Sequence, residues 1–343
     1  MRYNNVFIEA LEYQLPENVL TSLEIEQRIS SLYDKLGYSP GRLEAISGIK
    51  ERRYWPVGTK PSSVASEAGK KVLESSGIDP RKIGAVIHTG VCRDLMEPAT
   101  AVFVHESLKL DPQCAVFDIS NACLGFVNGM SVAANMIELG QIEAALIVSG
   151  ENSAPVYEDT ISLLNRPENM NEEFLRSKIA NFTLGSGAMA CVLTSRELAS
   201  KSHRLLGGIF QADSTASEYC MASGDNQNQM MHTNTKELMR SGIELTCMTW
   251  ELFKRELDWT DASVDQFATH QISIQHQVKV YEALGLDLTK DNPTFDVLGN
   301  TGSVAAPISL AMGVENGRIQ SGDNVCLMGI GSGLNCFMMG VNW

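Results

Sequence analysis

One cysteine of the eight in this 343-residue chain stands apart by its surroundings. In "FDISNACLGFVNG" (117–129), Cys123 follows an apolar, strand-like run and opens a small-residue helical pattern. A cysteine at a helix N-terminus meets free N–H groups and the positive end of the helix dipole, so its thiol pKa is expected to be lowered toward the nucleophilic thiolate. The other seven cysteines show no Cys-x-x-Cys spacing and fall mostly in apolar segments. That pattern suits reduced core thiols, and neither a disulfide framework nor a metal site is expected. Two further polar residues sit at comparable points of the chain: His270 in "THQIS" and Asn300 in "LGNTGSVAAP". Taken singly, the histidine reads as a core residue and the asparagine as a turn former.

An internal repeat changes their weight. "FDISNACLGFVNGMSVAANMIELGQIEAALIVSGE", from Phe117, and "FDVLGNTGSVAAPISLAMGVENGRIQSGDNVCLMGIGSG", from Phe295, share one layout. Each runs from a strand-like Phe-Asp through a small-residue turn and a helical pattern to Gly-Gln-Ile or Gly-Arg-Ile, then an apolar strand. "KKVLESSGIDPRKIGAVIHTG" (70–90) likewise parallels "KRELDWTDASVDQFATHQI" (254–272). Two pairs in the same order point to a duplicated half of about 170 residues. Almost wholly apolar strands such as "AALIVSG" imply helices on both sheet faces, hence an α/β/α/β/α five-layered sandwich. The division expected is 1–180, carrying Cys123 and a polar cap excursion over about 152–180, and 181–343, carrying His270 and Asn300. "SGDNQNQMMHTNTK" (223–236) reads as a loop. In an α/β fold, ligand chemistry collects at one end of the strands, where a pseudo-twofold would bring Cys123, His270 and Asn300 together.

Composition bounds the partners. A formal net charge of −14 disfavours nucleic acid and anionic lipid surfaces. A phosphate-bearing ligand would need a local basic patch, and "GIKERRYW" (48–55), with Lys50, Arg52 and Arg53, is the densest. The chain has neither a signal-peptide pattern nor a run of 18 apolar residues, so a cytoplasmic protein without a transmembrane segment is expected.

"DISNACLGF", "HQIS" and "GNTGSVAAP" together resemble the Cys/His/Asn set of the ketoacyl synthase III branch of the thiolase superfamily. "GIKERR", "LGSGAMA" (184–190) and "GIGSGLN" (329–335) resemble its other landmarks. "VCRDLMEPATA" (91–101), with Glu97 placed 26 residues before Cys123, is most similar to the OleA enzymes, which join two acyl-CoA molecules head to head.

The resemblance implies a thiolase-like fold and a homodimer in which Glu97 is the base and reaches into the partner subunit's site. Cys123 would carry the acyl chain as a thioester. The N–H groups of Cys123 and Gly333, with Ser332 supporting the turn, would form an oxyanion hole, and His270 and Asn300 would stabilise an enolate. Lys50, Arg52, Arg53 and Arg240 are the candidate CoA-binding cations, and no cofactor is implied beyond the fatty acyl-CoA substrates. Downstream pathway enzymes would take the β-ketoacyl product. Ser273 and Gln275 stand where ketoacyl synthase III typically has Asn and Arg, and Arg42 where many of those enzymes carry a tryptophan that stacks on adenine. Three alternatives stay open: a decarboxylative 3-oxoacyl-ACP synthase III using malonyl-ACP, a catalytically idle acyl-binding protein of the same fold, and a papain-type protease, which the duplicated apolar strands fit poorly.

Overall fold

The computed structural model describes residues 1–224 and 229–343. Strands β1 (Val6–Gln14) and β2 (Asn18–Thr21) lead into helices α1 (Ser22–Arg28), α2 (Ser30–Leu36) and α3 (Arg42–Ser47). Next come β3 (Glu51–Tyr54), α4 (Pro61–Ser76), β4 (Ile83–Thr89), α5 (Thr100–Leu108), β5 (Ala115–Ile119), α6 (Gly125–Glu138) and β6 (Ala144–Glu151). Helices α7 (Ala154–Leu164) and α8 (Glu172–Lys178) precede β7 (Gly187–Ser195). The second half runs β8 (Arg204–Ala212), β9 (Cys220–Gly224), β10 (Gln229–Thr233), α9 (Thr235–Leu257), β11 (Gln266–Thr269) and α10 (Ile274–Leu284). It ends with α11 (Phe295–Leu298), α12 (Ala305–Glu315), β12 (Asn324–Gly331) and β13 (Asn335–Asn342).

The main strands follow the order β11-β12-β13-β8-β1-β7-β6-β4-β5. Each half therefore repeats one mixed arrangement: parallel strands at one end, antiparallel strands toward the middle. The halves meet where β1 borders β8, through Ile8 N to His203 O at 2.8 Å and Tyr3 N to Leu206 O at 2.9 Å.

Side-chain alternation along the strands divides the protein into layers. Ala145 and Ile147 of β6 face one core while Leu146 and Val148 face another. Likewise Val325 and Leu327 of β12 face the first core, with Cys326 and Met328 turned to a third. The first core also contains Phe126, Met130 and Ile137 of α6 and Ile308 and Leu310 of α12, so both sheets share this helical layer. Helices α4 and α5 cover the far face of the first sheet and α9 and α10 that of the second. The result is the five-layered α/β/α/β/α sandwich. Gly129 lets α6 lie close to the sheet, because a Cβ there would stand 2.5 Å from Thr89 Cγ2.

Three sequence expectations need correction. β7 pairs with both β1 and β6, so residues 187–195 belong to the first sheet and lie beyond the division expected at 180. Phe295–Leu298 forms one helical turn where Phe117 lies in β5. In the second half the counterpart pairing shrinks to a single bridge between Phe267 and Asp291. The stretch 223–236 holds the end of β9, all of β10 and the start of α9, with 225–228 outside the described residues. The cap expected over about 152–180 consists of α7 and α8, whose Tyr157, Ile161 and Leu175 share a fourth core with Ile25, Ile29 and Leu32.

Because α6 belongs to a core common to both halves, the two should unfold as one unit. Ile137→Ala removes a fully buried side chain and should cost about 2–5 kcal/mol. Calorimetry should show one transition at lower temperature; a first transition that moves while a second stays fixed would show that the halves do not depend on one core.

Candidate active site

Cys123 lies in the turn between β5 and α6. Two hydrogen bonds tighten that turn, Leu124 N to Asn121 O at 3.0 Å and Gly125 N to Ala122 O at 3.2 Å. Ala122 adopts φ +46°, in the left-handed region, where a residue with a Cβ is strained by roughly 1–3 kcal/mol. The surroundings hold this conformation. Asn121 Nδ2 donates to Asn128 Oδ1 (2.8 Å), and Asn335 Nδ2 donates both to Asn121 Oδ1 (3.2 Å) and to Ser332 O (3.1 Å). The nucleophile turn is thus pinned to the β12–β13 turn that carries Ser332 and Gly333. At Gly333, with φ +133°, a Cβ would stand 2.4 Å from Asn335 Nδ2, so no side chain fits.

His270 is the first residue after β11, and its N–H donates to Met328 O at 2.7 Å. From β12, a Cβ on Gly329 would stand 2.5 Å from Leu124 Cδ2 and 3.9 Å from His270 Cβ, and one on Gly331 would stand 3.5 Å from Cys123 N. The end of β12 therefore lies against both the nucleophile turn and the histidine. Asn300 reaches the same end of the sheets through α11. Its N–H donates to Thr183 O (2.7 Å), its carbonyl accepts from Gly185 N (2.8 Å), and Oδ1 accepts from Gly302 N (3.0 Å). Gln271 ties the histidine's strand end to the segment entering α11, accepting from Thr294 N (2.7 Å) and Phe295 N (3.1 Å).

The electrostatics differ from expectation at Cys123. Burial, with Cys220 and Glu151 adding to it, pushes the thiol up from 9.0 to about 12. A rise of that size corresponds to about 4 kcal/mol, whereas a helix terminus supplies ~2 kcal/mol at best. Desolvation wins, and Cys123 rests as a thiol. Burial, followed by the neighbouring His276, pushes His270 down to about 3, so its imidazole is neutral across the physiological range. Its Nδ1 is buried without a partner among the described residues.

Glu97 stands elsewhere. It is exposed on the segment between β4 and α5, beside Leu95 (53% exposed) and Met96 (98% exposed). Both ends of that segment are anchored: Val91 and Cys92 N–H groups donate to Glu151, and Thr100 and Ala101 N–H groups to Asp118. Within this chain the structure brings Cys123, His270, Asn300, Ser332 and Gly333 to one region and holds Glu97 outward.

The basic candidates fare differently. Arg52 is fully buried and donates to Leu20 O, Ser22 Oγ and Phe182 O, a structural role that removes it from any CoA phosphate. The guanidinium of Arg240 is held by Glu237 and Glu244 on its own helix. Arg53 is half-buried and donates to Pro16 O, which leaves Lys50 as the exposed cation of that stretch. Arg42 lies over the Tyr38 ring at 4.0 Å. Asn121, Asn335 and Glu151 are site residues that sequence reasoning missed. The signal for Glu151 is an acid closing a continuously apolar strand. Among the described residues, no group of His, Cys, Asp or Glu could hold a metal ion, and no helix is long and apolar enough to cross a membrane.

Known proteins match the chain over its whole length. Residues 117–214 match the model of the 3-oxoacyl-[acyl-carrier-protein] synthase III family, and residues 255–343 match that of its C-terminal part. An acyl-CoA:acyl-CoA alkyltransferase of Shewanella oneidensis is 40% identical, with all of each chain covered. One from Xanthomonas campestris is 38% identical, also over both full lengths. The chain belongs to the acyl-CoA:acyl-CoA alkyltransferase family. It is an acyl-transferring condensing enzyme with the thiolase-like fold. A β-ketoacyl-[acyl-carrier-protein] synthase III of Natranaerobius thermophilus is 25% identical. A solved structure of Xanthomonas campestris OleA in which one cysteine is replaced by alanine has a TM-score of 0.96 at 38% identity, covering 100% of this chain and 98% of that one. Another carries lauric acid and lauroyl-CoA on a cysteine-to-serine variant, with a TM-score of 0.94 and coverage of 99% and 100%.

Two outcomes follow from the shifted groups. Alkylation of Cys123 by iodoacetamide in the free enzyme should rise with pH from 7 to 10 without levelling; a plateau near neutrality would show a thiolate and restore the helix-terminus expectation. His88 and His270, both held neutral by burial with folded pKa values of about 4 and about 3, bind protons only after unfolding. Stability is complete above the unfolded value of 6.5 and is lost as pH falls toward 4, by about 2 kcal/mol per imidazole at pH 5. Urea midpoints measured from pH 7 to 4.5 should fall accordingly.

Proposed function

We propose that this enzyme condenses two fatty acyl-CoA molecules head to head, without decarboxylation, to a β-ketoacyl product. In the first step the Cys123 sulphur attacks the thioester carbonyl of one acyl-CoA. The C–S bond to CoA breaks, the thiol proton passes to the departing CoA thiolate, and the acyl chain stays on Cys123. Because the resting group is a thiol, its proton must leave as attack proceeds. The N–H groups of Cys123 and Gly333 hold the developing oxyanion, with Ser332 shaping the turn; one such donor is worth about 10² to 10³ in rate.

In the second step a carboxylate removes the α-proton of another acyl-CoA. A neutral His270 and the Asn300 side-chain amide are both hydrogen-bond donors suited to its thioester oxygen as the enolate forms. The enolate carbon then attacks the Cys123 thioester, forming the C–C bond and releasing the Cys123 sulphur. A malonyl group would generate its carbanion by losing carbon dioxide, and no base would be required. An ordinary acyl-CoA needs one, and Glu97 is assigned that task.

The observation that carries this reading is the placement of Glu97. It is presented outward on an anchored segment, flanked by the exposed Leu95 and Met96, which suits an acid offered to a second subunit with apolar residues that seal the contact. The OleA structures include glutamate-to-aspartate, -glutamine and -alanine variants and histidine variants as well as cysteine ones. The varied glutamate and cysteine there are separated by the same number of positions as Glu97 and Cys123. The working unit is a cytoplasmic homodimer that takes fatty acyl-CoA, uses no cofactor and passes its product to downstream enzymes. Lys50 remains its candidate contact for CoA phosphates.

The purified enzyme, given only a long-chain acyl-CoA, should release CoA and form a β-keto product detectable by mass spectrometry. Product formed only when malonyl-ACP is added would establish the decarboxylative reaction instead. Glu97→Gln should keep one equivalent of rapid CoA release per site and lose condensation by about 10² to 10⁴, the usual contribution of a general base. Co-expressed Cys123→Ala and Glu97→Gln chains should recover activity that neither shows alone, since a mixed dimer has one site with both groups. No recovery would place Glu97 in its own subunit's site or outside the chemistry.

A further inference from the structure

Glu151 ends β6 and is only 4% exposed, an unusual place for a carboxylate that has no paired cation among the described residues. Four donors converge on it. Oε1 accepts from Val91 N (3.1 Å), Ser303 N (3.2 Å) and Ser303 Oγ (2.5 Å), and Oε2 accepts from Cys92 N (3.2 Å). Ser149 Oγ, at 3.1 Å from Ser303 Oγ, supports the same cluster from within β6. Two glycines make room for the carboxylate: a Cβ on Gly90 would stand 2.7 Å from Oε1, and one on Gly302 would stand 3.3 Å from its Cδ.

These donors belong to two different pieces of the machinery. Val91 and Cys92 begin the segment that presents Glu97. Gly302 and Ser303 lie two and three residues after Asn300 and start the short turn into α12. The two pieces come from opposite halves of the chain, and Glu151 is bonded to both. A third piece adjoins it, since a Cβ on Gly125, at the start of α6, would stand 2.8 Å from Gly90 N. The nucleophile turn itself is held by Asn121, Asn128 and Asn335, and among the described residues the donors to Glu151 come from other segments.

We propose that Glu151 is a positioning residue for the condensation step, fixing the segment that delivers Glu97 relative to the loop that carries Asn300, while leaving acylation of Cys123 to a separately held turn. The assignment rests on the head-to-head reading. A carboxylate suits the task better than an amide because all four of its contacts are donors, and hydrogen bonds to an ionised acceptor are the stronger kind. Glutamine would turn an NH₂ group toward one of those N–H groups and push the segments apart. Misplacing reacting groups by about 1 Å can cost 10²-fold in rate.

The test separates the two half-reactions in the full-length enzyme, with wild type alongside. Acylation is read as the rapid release of CoA from a long-chain acyl-CoA, condensation as β-keto product from the same mixture, and Cys123 reactivity as its rate with iodoacetamide. Glu151→Gln should lower condensation by about 10²-fold while the rapid release of CoA stays within a few-fold of wild type. Its thiol should react with iodoacetamide no more than a few-fold faster than wild type, as expected for the loss of one nearby negative charge; a loosened site, which exposes the buried sulphur, would raise that rate much further. Ser303→Ala removes one donor and keeps the charge. It should lower condensation by about ten-fold with alkylation unchanged, and it stands in if the glutamine variant does not fold. Equal losses of acylation and condensation in the folded variants, or full condensation in both, would overturn the assignment. Failure of wild type itself to form β-keto product from acyl-CoA alone would sink the head-to-head reading, which the variants do not address.

Discussion

Everything at the active end of this protein depends on how closely α6 can approach the strand ends of the first sheet. Gly125 abuts Gly90 and Gly129 abuts Thr89 and Ile147 at separations that no side chain would allow. That contact seats the helix start directly above β4 and β6 and fixes where the nucleophile turn can be. It also explains why the turn accepts a left-handed alanine at position 122. With the helix locked from behind and Asn335 holding Asn121 from the second half, the chain between β5 and α6 has little freedom to relax. The local strain is outweighed by the packing of a core that both halves share.

The same burial determines the chemistry available. Burial raises the thiol and lowers the imidazole, so the resting pair is uncharged. A neutral histidine is the better partner for an enolate oxygen if its task is to donate a hydrogen bond and keep the proton. A neutral thiol, in turn, is a poor target for alkylation. The helix terminus contributes, but its effect is small beside the cost of placing a thiolate among apolar groups. Glu97 is held outward on its anchored segment, in water, away from the region of Cys123, His270 and Asn300.

Much of this architecture was legible in the sequence because repetition is a long-range signal. Two paired segments in the same order identify the halves, and continuous apolar strands imply layers on both faces. Cys123, His270 and Asn300 follow from equivalent positions in those halves. The misses arise where local pattern and tertiary context part. Phe295 copies Phe117 in type, but Gln271 captures the N–H groups of Thr294 and Phe295, and the chain coils into a helical turn where its twin extends. Arg52 looked like a surface cation because charge usually lies in water. Its neighbours Ser22, Leu20 and Phe182 accept its protons inside the cap, and a string of letters does not reveal that convergence. The acidity of Cys123 was misjudged because the helix dipole is visible in a motif, whereas the density of protein around the sulphur is not.

The buried acids of this molecule follow one logic that connects the fold to its reaction. Glu151 and Asp291 each close or border a parallel strand, each is almost wholly buried, and each accepts hydrogen bonds from segments far apart in sequence. Asp291 takes its donors from Thr269 and Gln277 on either side of His270, and Glu151 takes its donors from the segments of Glu97 and Asn300. Burying a carboxylate carries a desolvation cost that only several donors can offset. Such a group therefore tolerates little displacement of any one of them. Loops built on turns and single helical turns would otherwise place reacting side chains loosely. Anchoring them on buried acceptors at the strand ends passes the rigidity of the sheet to residues that lie outside it.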